Sequence, residues 1–274
     1  MSGDNSDQIE FWNGSMATNW VAADERMDEL LAPLSQLVLQ RAGVQRGESI
    51  LDIGCGCGAT SMAMAEAGAQ VLGIDVSAPM LARAVERGRG NDGVKFVEAD
   101  AASHAFEPKF DLLFSRFGVM FFADPVAAFT NLHSALSPGG RLCFICWQAM
   151  TENPWLAAPM GAAQPFLPDT DPPAPSAPGP FSMADAELLS NVLNTAGFSD
   201  VAVEAHAVEM RVGSNLEEAM EFYTRLGPLA GVLGDIEPDN RAAALAAVSK
   251  ILAASETAAG IALPGGCWIA TANQ

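Results

Sequence analysis

Positive charge is scarce in this chain. Fourteen Lys and Arg stand against 33 Asp and Glu in 274 residues, a formal net charge of −19. A surface that negative repels a phosphate backbone, which argues against nucleic acid as a partner and for a small molecule; the same acidity also serves solubility. No apolar run reaches the ~18–20 residues of a membrane span. The opening MSGDNSDQIEFWNG has neither a basic nor an apolar stretch of the kind a secretory signal needs, so a cytoplasmic protein is expected. Five cysteines, an odd and scattered number, do not make a disulfide framework. Three histidines and one tyrosine leave few candidate general bases. Half of the residues are hydrophobic and 17% charged, enough to bury a full core and exclude long disorder.

Strands and helices alternate along the chain. DERMDELLAPLSQLVLQRA (24–42) puts Met27, Leu30, Leu34, Leu37 and Val38 at helical spacing, with a kink or restart expected at Pro33. Strands follow at 49–54, 71–75, 94–100, 110–115 and 141–147, separated by helices at 59–67, 78–88 and 125–136. This rhythm predicts βαβ units and a mostly parallel sheet. Residues 165–181 hold seven of the seventeen prolines and read as a loop. A helix at 183–196, a strand near 200–209, helices at 215–226 and 239–256 and a last strand at 267–272 complete the chain.

LDIGCGCGAT (51–60) is a buried strand running into glycines at every second position, which allows a tight turn and a close ligand approach. Gly54 to Ala59 also fits the G-x-G-x-x-A dinucleotide fingerprint, with Asp75 ending the second strand, so the glycines do not discriminate between ligands. Three further features do: Asp52 within the first strand, Asp100 after the third, and Leu136-Ser137-Pro138-Gly139-Gly140 before the fifth.

Together, Leu51–Gly58, Asp75, Asp100, Phe110-Asp111 and the SPGG turn resemble the ordered motifs of the class I S-adenosylmethionine-dependent methyltransferases, and are similar to the quinone-biosynthesis branch. The resemblance implies a Rossmann-like α/β fold, a seven-stranded mostly parallel sheet with its last strand antiparallel and helices on both faces. It implies a single methyltransferase domain over 1–274: a helical cap (1–45), a cofactor core (46–148), a proline-rich insertion (149–181), and the rest of the sheet (182–274) with a helical lid at 215–257. The cofactor would be S-adenosylmethionine, leaving as S-adenosylhomocysteine. By the same resemblance Gly54, Cys55, Gly56 and Gly58 would pass the methionine and ribose portions. Asp75 would accept from the ribose hydroxyls, Val76, Ser77 and Met80 would border the adenine, and Asp100 and the Ala101 N–H would meet its edge. Asp52 would orient the amino-acid end, Ser115 and Arg116 would lie beside the sulfonium, and Trp20 would fold over the cofactor.

Methyl transfer from a sulfonium is an in-line displacement that orientation alone can accelerate, so a base is needed only if the acceptor must lose a proton. The candidates are His104, Arg116 and Tyr223; His133 reads as core edge and His206 as strand surface. Neither Cys55/Cys57 nor Cys143/Cys146 makes a metal or metalloid clamp, and no metal is expected. Trp12, Phe117, Met120, Phe121, Trp147, Trp155, Phe181 and Tyr223 are candidates for an apolar acceptor pocket, with residues 8–20, 150–181 and 215–257 as its lid. A cofactor-binding protein without turnover and a nicotinamide-dependent oxidoreductase remain as alternatives. The acceptor atom and the oligomeric state are not specified by the sequence.

Overall fold

The computed structural model describes residues 5–107, 109–168, 177–226 and 229–274, the side chain of Asp235 excepted. Three helices open the chain, α1 (Ser6–Asn13), α2 (Ser15–Ala22) and α3 (Asp24–Ala42). Gly14, extended at φ −88°, separates the first two. α3 runs through Pro33 as one helix, so the expected restart does not occur. It ends where Gly43 turns left-handed at φ +58°. Alternation then sets in: β1 (Ser49–Ile53), α4 (Ala59–Glu66), β2 (Gln70–Asp75), α5 (Ala78–Arg87), β3 (Val94–Glu98), β4 (Phe110–Arg116), α6 (Pro125–Ala135) and β5 (Leu136–Trp147). After β5 come α7 (Pro154–Ala163), α8 (Ala186–Thr195), β6 (Ser199–Gly213), α9 (Leu216–Arg225), α10 (Pro238–Ala254), β7 (Glu256–Thr257) and β8 (Gly260–Asn273).

The sheet order is β3-β2-β1-β4-β5-β8-β6, with the two-residue β7 beside β8. β1 pairs in parallel with β2 and β4, β2 with β3, and β4 with β5, whereas β8 runs antiparallel to β5. This is the expected sheet. β1 is an interior strand, with Ile50 to Ile53 all buried, as a strand covered on both faces requires. The chain leaves β1 toward β2 on one side and later returns as β4 on the other, so the strand order reverses at the carboxyl ends of β1 and β4, the usual ligand position in such sheets.

Local chemistry fixes the helix starts. Ser77 caps α5 by accepting from the Met80 N–H, and Asp124 and Asp185 cap α6 and α8 in the same way. The cap at Asp185 explains why the helix expected from 183 begins only at 186. The SPGG segment, expected as a turn, is taken into β5 as an irregularity: pairing shifts between Phe110–Leu136 and Leu112–Arg141, with Gly139 at φ +80°. α7 forms within the segment expected as a proline-rich insertion; Pro154 suits its first turn, where no N–H is needed. Of the proline loop, residues 169–176 lie outside the described residues.

The chain divides into two compact units, Met1–Gln148 with Pro175–His206 and Cys267–Gln274, and Ala149–Ala174 with Ala207–Gly266. Within the second, α10 packs on α7 and α9. Among the described residues no helix is long and apolar enough to cross a membrane.

Candidate functional site

The carboxyl ends of β1, β2 and β4 and the loop after β3 bring Asp52, Gly54–Gly58, Asp75, Asp100 and Ser115–Gly118 to one edge of the first unit. Gly54, Gly56 and Gly58 all have positive φ, 66°, 55° and 82°. The space beside Gly54 is filled by protein: a Cβ there would lie 2.7 Å from the Gly118 Cα, and one on Gly118 would lie 2.6 Å from the Ile53 carbonyl oxygen. The glycine at 54 therefore serves the contact between the β1 and β4 ends, and Gly118, its partner in that contact, was not singled out from the sequence.

Asp52 is fully buried. Its Oδ2 accepts from the Ser61 and Thr60 hydroxyls at 2.6 and 2.9 Å, and its Oδ1 is buried with no hydrogen-bond partner. Burial pushes its pKa up to about 6; Ser61, Thr60 and the Arg116 charge oppose the shift, and Asp75 adds to it. Asp75 accepts from the Gly56 N–H at 2.8 Å through one oxygen and the Ser77 N–H at 2.9 Å through the other. Burial raises its pKa against those backbone bonds. The Val76 N–H acts on it as well, which leaves the carboxylate room for one further hydrogen bond out of about four. Asp100 takes the Ala102 N–H and the Ser103 hydroxyl, both at 3.0 Å, and the Asn5 amide at 2.7 Å.

Asn5 and Asn13 carry no periodic or motif signal, and sequence reasoning missed both. The Asn5 oxygen accepts from the Ala123 N–H at 2.8 Å, so its amide bridges the β3 and β4 sides of the edge. Asn13 donates to the Val76 carbonyl at 2.8 Å and accepts from the Ala78 N–H at 3.0 Å. These two clips lay α1 across the edge. Trp12, Trp20 and Val21 pack there on buried Ala17, Cys57 and Met80, and Trp12 meets Phe121 edge-on at 5.1 Å.

Other expected residues fall differently. The Cys55 thiol is turned toward β2, where a Cβ on Gly73 would lie 2.9 Å from it. Ser115 Oγ donates to the Ile53 carbonyl at 2.7 Å and accepts from the Gly118 N–H at 3.2 Å, which makes it a brace. The Arg116 guanidinium points to α3: it donates to Ser35 Oγ at 2.8 Å and lies 4.0 Å from Asp28, and burial lowers its pKa while Asp28 and Asp52 hold it up. Phe117, at φ +62°, stacks on Trp147 with centroids 4.2 Å apart. The Ser182 hydroxyl and the Gly179 N–H both donate to the Met120 carbonyl, which sets the turn holding Phe181 against Val119–Phe121. Ala101 is buried beside Asp100.

Of the candidate bases, Tyr223 is not brought to this edge. His104 stays beside Asp100, whose carbonyl accepts from the His104 N–H at 2.9 Å, and its ring packs edge-on against Phe106 at 4.9 Å. Tyr223 belongs to the core of the second unit, where its hydroxyl donates to the Trp155 carbonyl and burial raises its pKa. Trp155, buried beside Phe222, is core there as well. All five cysteines are buried and unpaired, and burial lifts Cys57 to about 11 and Cys143 and Cys267 to about 12, so these thiols are protonated near neutral pH. Among the described residues no group of three or more His, Cys, Asp or Glu could hold a metal ion.

Residues 51–144 match the family model described as a methyltransferase domain. That segment carries a methyltransferase domain of the S-adenosylmethionine-dependent class. Phosphoethanolamine N-methyltransferase 1 of Triticum aestivum is 29% identical over 171 residues, 61% of this chain and 31% of that protein. Demethylmenaquinone methyltransferase of Clavibacter sepedonicus is 37% identical over 97 residues, 35% and 40% of the two chains. The chain thus spans less than half the length of those relatives. Its fold matches phosphoethanolamine N-methyltransferase 2 of Haemonchus contortus, solved with phosphomonomethylethanolamine and S-adenosylhomocysteine, at a TM-score of 0.55 and 23% identity over 88% of this chain and 52% of that one.

Proposed function

We propose that the protein transfers the methyl group of S-adenosylmethionine to a small or medium-sized, largely apolar organic acceptor, mainly by holding the reactants in line. The observation that carries this is the set of three acids at adjoining strand ends, each able to accept more hydrogen bonds. Asp75 retains acceptor capacity for a ribose hydroxyl, and Asp100 would accept from the adenine amine beside the Asn5 amide. The unpartnered Oδ1 of Asp52 is the kind of buried atom that a bound ammonium satisfies, which fits the amino-acid end of the donor. Bound there, the cofactor supplies an electrophilic methyl on a positively charged sulfur. Aromatic faces of Trp12, Phe117 and Phe121 favour that charge and exclude water.

The acceptor side is then formed by Phe117, Met120, Phe121, Trp147 and the turn carrying Phe181. A phosphorylated amine, the substrate class named for the Triticum and Haemonchus proteins, would set a dianion among these side chains in a chain of net charge −19. An apolar acceptor suits them better. No base is assigned: the His104 ring packs on Phe106, the Tyr223 hydroxyl is bound to the Trp155 carbonyl, and Arg116 faces α3. Five buried, unpaired thiols fit a reducing compartment and hence the cytoplasm.

Calorimetry with S-adenosylmethionine and with NAD, followed by an assay of S-adenosylhomocysteine release over a panel of apolar and phosphorylated acceptors, tests the proposal. Binding of the sulfonium donor with release on apolar acceptors is expected. Tight NAD binding without donor binding would point to a nicotinamide enzyme, and donor binding with no release on any acceptor to a protein without turnover.

A further inference from the structure

Asn13 is the one asparagine of the chain that is followed by glycine. Such a link is prone to break down, because no side chain on the second residue hinders attack by its backbone nitrogen. The Gly14 nitrogen bonds to the Asn13 Cγ, the Cγ–Nδ2 bond breaks, and Nδ2 departs as ammonia with the proton that the Gly14 N–H gives up. A five-membered imide remains. Water then opens it at Cγ to give aspartate, or at the main-chain carbonyl to give isoaspartate. Amide and water have become carboxylate and ammonium.

The fold holds this reaction off. Asn13 is exposed to water, yet its amide is engaged on both sides: Nδ2 donates to the Ile9 and Val76 carbonyls, each at 2.8 Å, and Oδ1 accepts from the Ala78 N–H at 3.0 Å. The Gly14 N–H is spent on the Phe11 carbonyl at 3.2 Å. Attack therefore needs α1 to lift from the start of α5. That helix buries none of its residues and has no side-chain cap, so its opening is local and cheap.

The product does not dock as before. An aspartate at this position still accepts from Ala78, but its second oxygen faces the Ile9 and Val76 carbonyls, acceptor against acceptor, where two hydrogen bonds stood. Isoaspartate also lengthens the backbone by one atom between α1 and α2. We propose that Asn13–Gly14 is a covalent modification site at which deamidation, gated by the opening of α1, turns a reversible fluctuation of that helix into its permanent release.

Gly14 is dispensable for the bend: an extended backbone at φ −88° suits any residue, and a Cβ there would lie 3.4 Å from the Phe11 oxygen, an ordinary contact. Gly14→Ala thus keeps the latch and hinders the attack. The full chain, its Gly14→Ala and Asn5→Ala variants, and the parent chain unfolded in urea are aged in mildly alkaline buffer. Mass spectrometry of the tryptic fragment 1–26 follows the exchange of amide for acid at residue 13. Conversion in the folded parent is expected to run about tenfold slower than in urea, set by the fraction of time that α1 is open. Asn5→Ala removes the other clip on α1 without touching the Asn-Gly link, and should quicken conversion several-fold. Gly14→Ala should stay unconverted.

Converted parent chain, isolated by anion exchange, should be cut within residues 6–22 several-fold faster than fresh chain, and so should Asn13→Asp; aged Gly14→Ala should be cut at the fresh rate. Conversion as fast in the folded chain as in urea, no conversion at residue 13, or equal rates in Asn5→Ala and the parent overturns the gating. Cleavage of converted chain at the fresh rate overturns the release. None of these readouts needs a bound cofactor, so they stand apart from the methyl-transfer reading.

Discussion

Gly118 has no room for a methyl group. A Cβ there would lie 2.6 Å from the Ile53 oxygen and 2.8 Å from the Gly54 Cα, both backbone atoms of the central strand's end. Gly118→Ala is expected to destabilise the fold by about 1–3 kcal/mol or more, read by thermal melting. Asp52 sets a pH dependence of the opposite sense to most carboxylates. Its folded pKa, about 6, lies above the ordinary 3.8, so the fold binds its proton more tightly than the unfolded chain does. The corresponding stability is present below about pH 4 and is lost as pH rises through about 6, a difference on the order of 3 kcal/mol. Asp52→Asn should therefore remove a downward step in melting temperature between pH 4.5 and 7.5, leaving the falling limb at lower pH that Asp24 and Glu48, both held below their usual range in ion pairs with arginine, produce. Asp75→Ala is expected to weaken S-adenosylmethionine binding by about 1–3 kcal/mol in calorimetry, the cost of stranding buried polar partners.

Among the elements, α1 and α2 hold to the first unit by few anchors. α1 buries none of its residues and has no side-chain cap, and α2 buries only Ala17. Two asparagines and the Trp12–Trp20 cluster do what a buried face does elsewhere. Asn13→Ala removes both bonds to the start of α5, each worth about 0.5–1.5 kcal/mol. Proteolytic cleavage within residues 6–22 should then quicken by about tenfold while the global melting temperature barely moves, because local opening is cheaper than unfolding. S-adenosylhomocysteine should slow that cleavage in the parent protein; equal cleavage with and without it would detach α1 from the site.

Taken whole, the molecule is an anion of formal charge −19 whose proposed donor carries a positive sulfur. Long-range attraction of that kind speeds encounter and is screened by salt. Raising sodium chloride from 50 to 500 mM should slow S-adenosylmethionine association several-fold in stopped-flow binding, with little change for S-adenosylhomocysteine, which lacks the sulfonium. Equal salt dependence for the two would mean that the charge serves solubility alone.

Strand-end acids and glycine turns are local facts, and the order of the chain was enough to place them: Asp52, Gly54–Gly58, Asp75 and Asp100 arrive at one edge because parallel strands bring like ends together. The alternation of strands and helices likewise foretold the mostly parallel sheet, while its antiparallel last strand followed only from the resemblance to the methyltransferases. Contacts between residues distant in sequence left no such trace. Nothing near Asn5 announces that its amide spans Asp100 and Ala123, nothing near Gly54 that its missing side chain makes room for Gly118, and nothing near Phe117 that its backbone is bent and its ring stacked. His104 was chosen for its place after the third strand and Tyr223 for a helix expected to form a lid; packing turned the His104 ring onto Phe106 and put Tyr223 into a separate core. Periodicity and turn chemistry act over a few residues and can be read along the chain; which side chains meet is decided by packing, where burial and hydrogen-bond satisfaction compete across the whole fold.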